Sequence, residues 1–446
     1  MRSADVVVIG GSAAGIPAAV TARRHYPDKS ILLIRREEKV LIPCGIPYIF
    51  GTVGSPEKNL IPDGVLEKNS IDLFVDEAKG LDPAKRVVTT AGGEEVGYDK
   101  LVLATGSEPL VPPIPGADLE NVFVVKKEVP YLNQMLEVMK GVKDLVIIGG
   151  GFIGVEFADE CKKGRDINVT VVEMLHHCLA LAYDDDLCSQ AEALLSEHGI
   201  DLMVDTKVEA IEGDGKVTGV RLADGKVLKA DAVILGIGCK ANTALAEAGG
   251  LEIGPTKGIK VDQHMRTSDE HIFACGDCAE KVSAFTGKPS PMKLASIAST
   301  EARIAGANLF SVHRENKGII GVFATAFWNT TFGTAGLTQK EAEKNGFEVA
   351  IGSAEGPNRH PGGMPGMSPL KVKLVFNKND GVLLGGQVAG ADSGGELLNA
   401  ISTFIQRKMT AEDIATFQLG THPALTNSPI GYQLVNAAEI ASMQMR

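Results

Sequence analysis

Residues 144–154 read DLVIIGGGFIG, an apolar strand pattern that runs directly into a glycine-rich turn. A helix and a second strand at residues 168–172 follow, and this order is typical of a dinucleotide-binding unit. Glycine lets the backbone approach a pyrophosphate, and the following helix offers unpaired N–H groups and the positive end of its dipole. All three glycines of the pattern are present as Gly149, Gly151 and Gly154. The stretch therefore predicts a parallel α/β unit with a nucleotide site.

An acidic residue ends the second strand of this unit. Glu173 lies 22 residues after Gly151, where a carboxylate accepts a hydrogen bond from the adenosine ribose 2′-OH and repels a 2′-phosphate. No arginine stands among the four residues that follow Glu173. The sequence therefore predicts NADH in preference to NADPH.

A second copy of the pattern opens the chain. An apolar strand at residues 6–9 leads through a turn into a helix of small residues, and another strand follows at residues 30–34. The turn residues expected to bind a cofactor are Gly10, Gly11, Ser12 and Gly15. Serine replaces the middle glycine of the pattern in this copy. Two such units in one chain are a strong signal where one alone is modest.

The acid that should end the second strand is displaced in this first unit. The strand runs into RREE at residues 35–38, and Glu37 is the best candidate for the ribose contact. A solvated surface charge is the alternative interpretation of Glu37.

Bulk properties narrow the class of protein. A chain of 446 residues suits two to four domains. Its net charge of −12 argues against nucleic acid as a partner, and no apolar run approaches the roughly 18 residues of a membrane span. Asp5 directly before the first apolar run argues against a signal peptide. Seven irregularly spaced cysteines favour reduced thiols and a cytoplasmic protein, and no metal site is predicted.

The C-terminal part shows a different pattern. Strands are predicted at residues 370–376 and 381–388 with a short turn between them, and a helix is predicted at residues 395–409. The sequence therefore predicts an α/β fold with two Rossmann-like dinucleotide-binding domains and a separate C-terminal α+β domain.

Four motifs together resemble the pyridine nucleotide-disulfide oxidoreductases. Residues 10–15 resemble the FAD pyrophosphate turn, residues 149–154 the NAD(P)H turn, and residues 103–107 (LATGS) the segment that crosses near the FAD. Thr267 and the stretch IFACGD at residues 272–277 resemble the second FAD fingerprint. The resemblance implies that FAD and NADH are the cofactors. It also implies cofactor contacts at Ala104, Thr105, Gly106, Gly238, Asp277 and Ala295.

The same resemblance implies a domain organisation. Residues 1–112 and 246–317 are expected to form one discontinuous FAD-binding domain, and residues 113–245 the NAD(P)H-binding domain. Residues 318–446 are expected to form a dimerisation domain, so that the protein is a homodimer.

A cysteine is the candidate redox group. Residues 41–48 (LIPCGIPY) resemble the single-cysteine branch: coenzyme A disulfide reductases, NADH oxidases and NADH peroxidases. Ile49 stands where two-cysteine relatives have their second cysteine. Pro43 before Cys44 predicts a helix start, which would favour the thiolate. The resemblance implies electron flow from NADH through FAD to a mixed disulfide, persulfide or sulfenic acid on Cys44. A buried, inert cysteine is the alternative.

A histidine is the candidate acid/base. Residues 420–426 read GTHPALT, and the resemblance maps onto His422 the role of a proton donor that reaches the partner subunit's active site. The ordinary pKa of histidine, about 6.5, suits proton exchange near neutrality. A capping or interface histidine is the alternative.

The electron acceptor is less defined by the sequence. The chain lacks the two tyrosines typical of coenzyme A disulfide reductases, and it has alanine where NADH oxidases carry a histidine in the first turn. A disulfide, persulfide or polysulfide is the predicted substrate, with oxygen as the alternative acceptor. A flavin redox sensor of low turnover is an alternative from another class.

Four further side chains carry weaker hypotheses. Arg23 and Arg24 could hold coenzyme A phosphates, but a solvated basic face is favoured for them. The Cys275–Cys278 pair has the spacing of a redox or metal pair, and a structural role is favoured.

Overall fold

The computed structural model describes residues 2–446 and contains two compact units. The first comprises the chain up to Pro112 together with residues 123–141 and 237–319. The second comprises residues 113–122, 142–236 and 320–446. The three-domain division drawn from the sequence, with limits at residues 112, 245 and 317, stays a prediction.

The strands are β1 Arg2–Ile9, β2 Ile31–Arg35, β3 Val40–Leu41, β4 Leu60–Ile61, β5 Asp72–Val75, β6 Ala78–Asp82, β7 Val87–Thr90, β8 Glu95–Leu103, β9 Ser107–Pro109, β10 Val122–Val124, β11 Asp144–Ile148, β12 Asn168–Val172, β13 Ile200–Met203, β14 Val208–Asp214, β15 Lys216–Leu222, β16 Val227–Lys229, β17 Ala232–Leu235, β18 Cys239–Ala241, β19 Ile272–Ala274, β20 Lys281–Val282, β21 Pro289–Ser290, β22 Val322–Phe327, β23 Thr330–Gly336, β24 Val349–Pro357, β25 Pro369–Asn377 and β26 Leu383–Gly390. The helices are α1 Gly15–His25, α2 Gly64–Lys68, α3 Val129–Met139, α4 Phe152–Lys162, α5 Asp185–Glu197, α6 Ala244–Ala248, α7 Ala295–Asn308, α8 Gln339–Lys344, α9 Gly394–Gln406, α10 Ala411–Ala415 and α11 Gln433–Met443.

The core of the first unit is a mixed sheet of seven strands. Its strand order is β5-β2-β1-β8-β7-β6, and β19 pairs with the second half of β8. The strands β5, β2, β1, β8 and β19 run parallel, and burial is continuous along β2, β19 and the last residues of β1 and β8, at 6–9 and 101–103. Ile9 lies opposite Leu103, and Leu103 lies opposite Ala274. The segments that follow these three strands therefore leave the sheet at one edge, where a doubly wound fold binds its ligand.

The second unit contains another parallel sheet, with the strands β17, β11, β12 and β13 in that order. Ile148 is paired with Val172 on one side and with Leu235 on the other. The glycine turn after β11 and the acid after β12 therefore stand side by side at the carboxyl edge of this sheet.

The C-terminal region is an antiparallel sheet of five strands in the order β22-β23-β26-β25-β24. Helix α9 packs on β23 and β26, and α11 packs on β24 and β25. The predicted fold class is thereby confirmed: two dinucleotide-type sheets built around parallel strands and a C-terminal α+β region. Over residues 2–446, no helix combines the length and the apolar character that crossing a membrane requires.

Candidate cofactor and thiol sites

The first glycine turn is held tightly against the ends of two strands. Gly10 has a φ of +112°, and a Cβ at this position would collide with the carbonyl oxygen of Ala104. A Cβ on Gly15 would collide with the carbonyl oxygen of Gly10. Only glycine allows the turn to close in this way. The amide of Ile16 at the start of α1 donates to the carbonyl of Ser12, so the helix begins directly behind the turn.

The segment after β8 is joined to the segment after β19. The amide of Ala104 donates to the carbonyl of Ile9 at 2.8 Å. Thr105 Oγ1 donates to the carbonyl of Asn242 at 2.6 Å. Ser107 Oγ donates to Asp277 Oδ2 at 2.7 Å. Three of the motifs found separately in the sequence thus meet at one sheet edge, and the half-buried Asp277 carboxylate is oriented by a side chain from another motif.

A buried arginine occupies the end of β2 in the first unit. The Arg35 side chain is 1% exposed and donates two hydrogen bonds to Asp63, at 2.6 and 2.7 Å. The Arg35 guanidinium also lowers the pKa of the Asp63 carboxyl. A Cβ on Gly11 would lie 2.6 Å from Arg35 Cδ, so the Arg35 side chain packs directly against the glycine turn. The ion pair was missed in the sequence because Asp63 lies 28 residues away from Arg35.

Glu37 is half-buried, and its carboxylate accepts a hydrogen bond from Arg36 Nε at 2.8 Å. A carboxylate keeps further acceptor positions when it receives one such bond. The contact of Glu37 with a ribose stays a prediction.

The second glycine turn has space for a ligand. Gly149 has a φ of +107°, and a Cβ on Gly154 would collide with the carbonyl oxygen of Gly149. A Cβ on Gly151, by contrast, would point into open space directly before helix α4. Packing within the protein therefore does not explain glycine at position 151. Close approach of a pyrophosphate to the backbone does explain it, and the residues present fit a dinucleotide.

Glu173 is tied to this turn. Its Oε2 accepts from the Gly150 amide at 2.6 Å, and its Oε1 accepts from the Leu175 amide at 2.7 Å. Each carboxylate oxygen retains acceptor capacity for a ribose hydroxyl. The geometry therefore fits the predicted ribose contact, with the carboxylate held in place before a ligand arrives.

Two further predicted contact residues occupy special backbone positions in the first unit. Gly238 has a φ of +98°, and its carbonyl accepts from the Leu110 amide at 3.0 Å. Ala295 is the first residue of α7. Their cofactor contacts stay predictions.

Cys44 lies exposed on a turn rather than at the start of an α-helix. A helical turn does begin at Pro43, as expected from the sequence, but it has 3₁₀ rather than α geometry. The segment forms two short 3₁₀ turns, Pro43–Gly45 and Pro47–Phe50. Pro47 has no amide hydrogen with which to continue an α-helix from Pro43, so the chain turns twice instead.

Asn59 braces the Cys44 turn from a distant part of the sequence. Asn59 is buried, and its Nδ2 donates to the Ile42 carbonyl at 2.9 Å while the Ile42 amide donates to the Asn59 carbonyl. A Cβ on Gly45 would strike the Asn59 side chain. Position 45 therefore has to be glycine for Asn59 to approach this closely. Ile49, at the position of the second cysteine in two-cysteine relatives, is fully buried.

Five of the six remaining cysteines are buried, and Cys239 is partly exposed. Cys275 and Cys278 are fully buried, and burial raises the pKa of both thiols. Cys278 Sγ donates to the carbonyls of Leu103 and Cys275 at 3.4 and 3.3 Å. A structural role therefore fits this pair. Burial raises the thiol pKa to about 12 in Cys161, Cys178 and Cys188.

Arg23 is not part of the solvated basic face that was expected from the sequence. Its guanidinium donates to four carbonyl oxygens, those of Pro27, Lys29, Asn69 and Ser70. Arg23 is therefore a structural clamp at the end of α1, rather than part of a solvated basic face. Arg24 is exposed, as expected for a solvated charge.

His422 lies exposed on the C-terminal loop with one ring nitrogen engaged. Its Nδ1 accepts from the Ala424 amide at 3.2 Å, an arrangement that assigns the proton to Nε2 in the neutral ring. His360, which sequence reasoning missed, anchors the same loop. Its amide donates to the Pro423 carbonyl at 3.1 Å, and its Nδ1 lies 3.0 Å from the Thr426 carbonyl. Nε2 is thus the His422 ring nitrogen available for proton transfer, on a loop that His360 anchors.

Within residues 2–446, no group of three or more histidine, cysteine or carboxylate side chains has the arrangement needed to hold a metal ion.

Comparison with known proteins gives close matches over nearly the whole chain. A family model described as pyridine nucleotide-disulphide oxidoreductase matches residues 4–302, and the dimerisation-domain model of that family matches residues 322–430. The NADH oxidase of Methanocaldococcus jannaschii is 31% identical over 434 residues, which cover 94% of this chain and 95% of that protein. The NAD(P)H coenzyme A polysulfide/persulfide reductase of Pyrococcus horikoshii is 34% identical over 397 residues, 87% of each chain. The structure of a NAD-dependent persulfide reductase from A. fulgidus has a TM-score of 0.91 at 31% identity, and covers 98% of this chain and 83% of that one.

Proposed function

We propose that this chain, which belongs to the pyridine nucleotide-disulphide oxidoreductase family, uses electrons from NADH to reduce a sulfur–sulfur bond at Cys44. The family predicted from the sequence motifs is confirmed. The chain is an enzyme, an FAD-dependent NAD(P)H oxidoreductase.

Bound FAD supplies a two-electron relay between the nicotinamide and a sulfur centre. We assign the glycine turn at residues 10–15, the segment 104–107 and Asp277 to the FAD site, because the structure brings them to one sheet edge. We assign the turn at residues 149–154 and Glu173 to NADH. The Glu173 carboxylate favours NADH over NADPH because it repels a 2′-phosphate.

Cys44 is the proposed attacking group. Its thiolate forms a bond with the outer sulfur of a persulfide as the original sulfur–sulfur bond breaks and the thiol leaves. The persulfide takes up two electrons and two protons overall, and it yields one thiol and one hydrogen sulfide. NADH supplies both electrons and one of the protons, and solvent supplies the other. His422 of the partner subunit is the proposed donor to the leaving thiolate, through Nε2.

One observation carries this proposal: Cys44 is exposed while the position of a second cysteine holds the buried Ile49. Cys44 is exposed and forms no disulfide within the chain, so the sulfur–sulfur bond that it attacks is proposed to belong to a substrate. The identity of 34% to a coenzyme A polysulfide/persulfide reductase supports a sulfur substrate.

Reduction of oxygen is the second candidate. It is favoured by the relative named NADH oxidase, which is 31% identical and spans 94% of this chain. In that case a sulfenic acid on Cys44 takes the place of the persulfide intermediate.

Homodimer formation is part of the proposal, because the dimerisation-domain model matches residues 322–430. A reducing, cytoplasmic location is proposed from the odd number of irregularly spaced cysteines.

Anaerobic half-reactions test the proposal. The holoenzyme is reduced with NADH and then reoxidised with coenzyme A disulfide, a persulfide, polysulfide, glutathione disulfide or oxygen, while the flavin absorbance is followed. We expect a sulfur acceptor to reoxidise the wild type at least a hundredfold faster than it reoxidises Cys44→Ser, with release of thiol or sulfide. His422→Gln should slow the same step, and it should leave reduction by NADH unchanged.

Equal reoxidation of wild type and Cys44→Ser by every sulfur acceptor would refute the sulfur proposal. Rapid water formation from oxygen that depends on Cys44 would select the oxidase. Tight NADH binding with slow turnover on all acceptors would select a redox sensor.

A further inference from the structure

A buried ion pair lies behind the second FAD fingerprint. Lys281 Nζ and Glu301 Oε2 are 3.0 Å apart, and each side chain is 2% exposed. Lys281 begins β20, four residues after Asp277, and Glu301 lies in the middle of α7. The pair was not singled out by any sequence motif, because a buried lysine and a helical glutamate 20 residues apart carry no local pattern.

Lys281 and Glu301 both form hydrogen bonds with the backbone that leads into Asp277. Lys281 Nζ donates to the carbonyls of Gly276 and Ala279, the latter at 2.8 Å. Glu301 Oε2 accepts from the Gly276 amide at 2.9 Å. Gly276 has a φ of +78°, a left-handed conformation that most other residues avoid. The pair therefore contacts both peptide groups of the one residue that directs the chain into Asp277.

Stability alone is a poor explanation of this arrangement. Removing two charges from water carries a desolvation penalty, and apolar pairs of similar volume often stabilise a fold as well or better. Here the penalty is high, because Glu301 Oε1 is buried with no hydrogen-bond partner among residues 2–446. Burial accordingly raises the pKa of the Glu301 carboxyl.

The geometry points to a positioning role in the cofactor site. We propose that Lys281 and Glu301 act through the Gly276–Asp277 turn and hold the Asp277 carboxylate in the orientation that binds FAD. This inference rests on the assignment of Asp277 to the FAD site in the proposed function. Ser107, which donates to Asp277 Oδ2, fixes the same carboxylate from the other side. Lys281 and Glu301 do not themselves contact the cofactor in this proposal.

Release of FAD from the holoenzyme tests the inference. Three variants are compared with wild type at 25 °C: Lys281→Met, Glu301→Gln, and the double variant Lys281→Met with Glu301→Leu. Release is followed by the rise in flavin fluorescence after dilution, and the environment of bound flavin is followed by visible circular dichroism. We expect release at least tenfold faster and an altered dichroism spectrum in all three variants. In the double variant, thermal stability should recover toward wild type, since no uncompensated charge remains buried.

Lys373→Met is the matched control. Lys373 forms a largely buried ion pair with Asp184 at 2.9 Å, within the second unit. Its loss should lower the unfolding temperature and leave FAD release unchanged. A double variant with the release rate and spectrum of wild type would overturn the inference and leave the pair a purely structural element. If Asp277→Ala also retains FAD as wild type does, the assignment of Asp277 itself is wrong, and the inference falls with it.

Discussion

At the scale of single residues, the position of the proposed redox cysteine depends on neighbours that its own motif does not reveal. The sequence predicts Cys44 as the redox group, but its turn is shaped by Asn59, which lies 15 residues later and bonds to Ile42. Gly45 has no positive φ, so its lack of a side chain serves the close approach of Asn59 rather than backbone freedom. Cys44 is thus placed by a contact between two loops.

Gly45→Ala should separate the two half-reactions. The added methyl group would strike the Asn59 side chain, so the turn that carries Cys44 has to shift. We expect reoxidation by a sulfur acceptor to slow at least tenfold, since displacements of about 1 Å reduce rates by up to about a hundredfold. Reduction of the flavin by NADH should be unaffected. Stopped-flow absorbance measures both steps.

The matched control is Gly64→Ala, because a Cβ on Gly64 meets no atom within 4 Å. The double variant Gly45→Ala with Asn59→Ala removes the collision, so it should recover part of the rate. Acceptor turnover of Gly45→Ala at the wild-type rate would contradict the proposed bracing by Asn59.

At the scale of secondary-structure elements, α4 combines two tasks. Its N-terminus follows the second glycine turn, and its middle packs against β22 of the C-terminal sheet. Phe152 stacks edge-on against Phe323, and Glu156 Oε1 accepts from Thr325 Oγ1 at 2.9 Å. Burial raises the pKa of the Glu156 carboxyl to about 7. Helix α4 is thereby joined to the C-terminal sheet by a hydrogen bond to the Glu156 carboxyl group, which a pKa of about 7 leaves half protonated near neutral pH.

Glu156 should make stability depend on pH. The folded chain binds a proton at Glu156 up to about pH 7, whereas the unfolded chain loses it near pH 4.5. The stability that this proton contributes is complete below pH 4.5 and is lost as the pH rises through 7. Wild type should lose about 2 kcal/mol of stability between pH 5.5 and 8.5, and Glu156→Gln should abolish this dependence. Denaturant unfolding at pH 5.5 and 8.5 measures the difference.

Thr325→Val is the informative companion variant. The hydrogen bond from Thr325 lowers the Glu156 pKa, so its removal should move the loss of stability to higher pH. Identical pH profiles for wild type and Glu156→Gln would show that Glu156 is ionised throughout this range.

At the scale of the whole molecule, large apolar side chains lie exposed near the C-terminus. Ile430 is 89% exposed and Leu425 is 69% exposed, and Leu425 lies three residues from His422. Exposed apolar side chains of this size mark interaction surfaces when they occur together in a region. The match of the dimerisation-domain model to residues 322–430 makes a second copy of the chain the natural partner.

Ile430→Glu should therefore weaken the homodimer. A charge placed in an apolar interface has to be desolvated when two copies associate. We therefore expect a dimer dissociation constant at least tenfold higher than that of wild type. Sedimentation velocity across a range of protein concentrations measures this. Leu181→Glu is the control, since Leu181 is 85% exposed but lies outside residues 322–430. A dimer equally weakened by both substitutions would argue against an interface at Ile430.

The sequence by itself was enough to predict the cofactors and the type of reaction of this protein. Glycine turns, the acid at residue 173 and the motif around Cys44 are short patterns, because contacts with a pyrophosphate or a flavin need several neighbouring residues at set spacings. The four strands that flank the two glycine turns, at residues 6–9, 30–34, 144–148 and 168–172, were predictable because buried strands are continuous apolar runs. The end of α9 was not: it stops at Gln406 rather than Met409, because Lys408 adopts a left-handed conformation.

Only the tertiary structure decided which distant side chains support those motifs. Arg35 with Asp63, Gly45 with Asn59 and Lys281 with Glu301 each join residues 14 or more positions apart. A buried charge or amide takes whatever partner the fold brings within hydrogen-bond distance, and that partner leaves no periodic pattern in the sequence. The proposed cofactor and redox residues can therefore be predicted from the sequence, whereas the contacts that hold them in position can be found only in the fold.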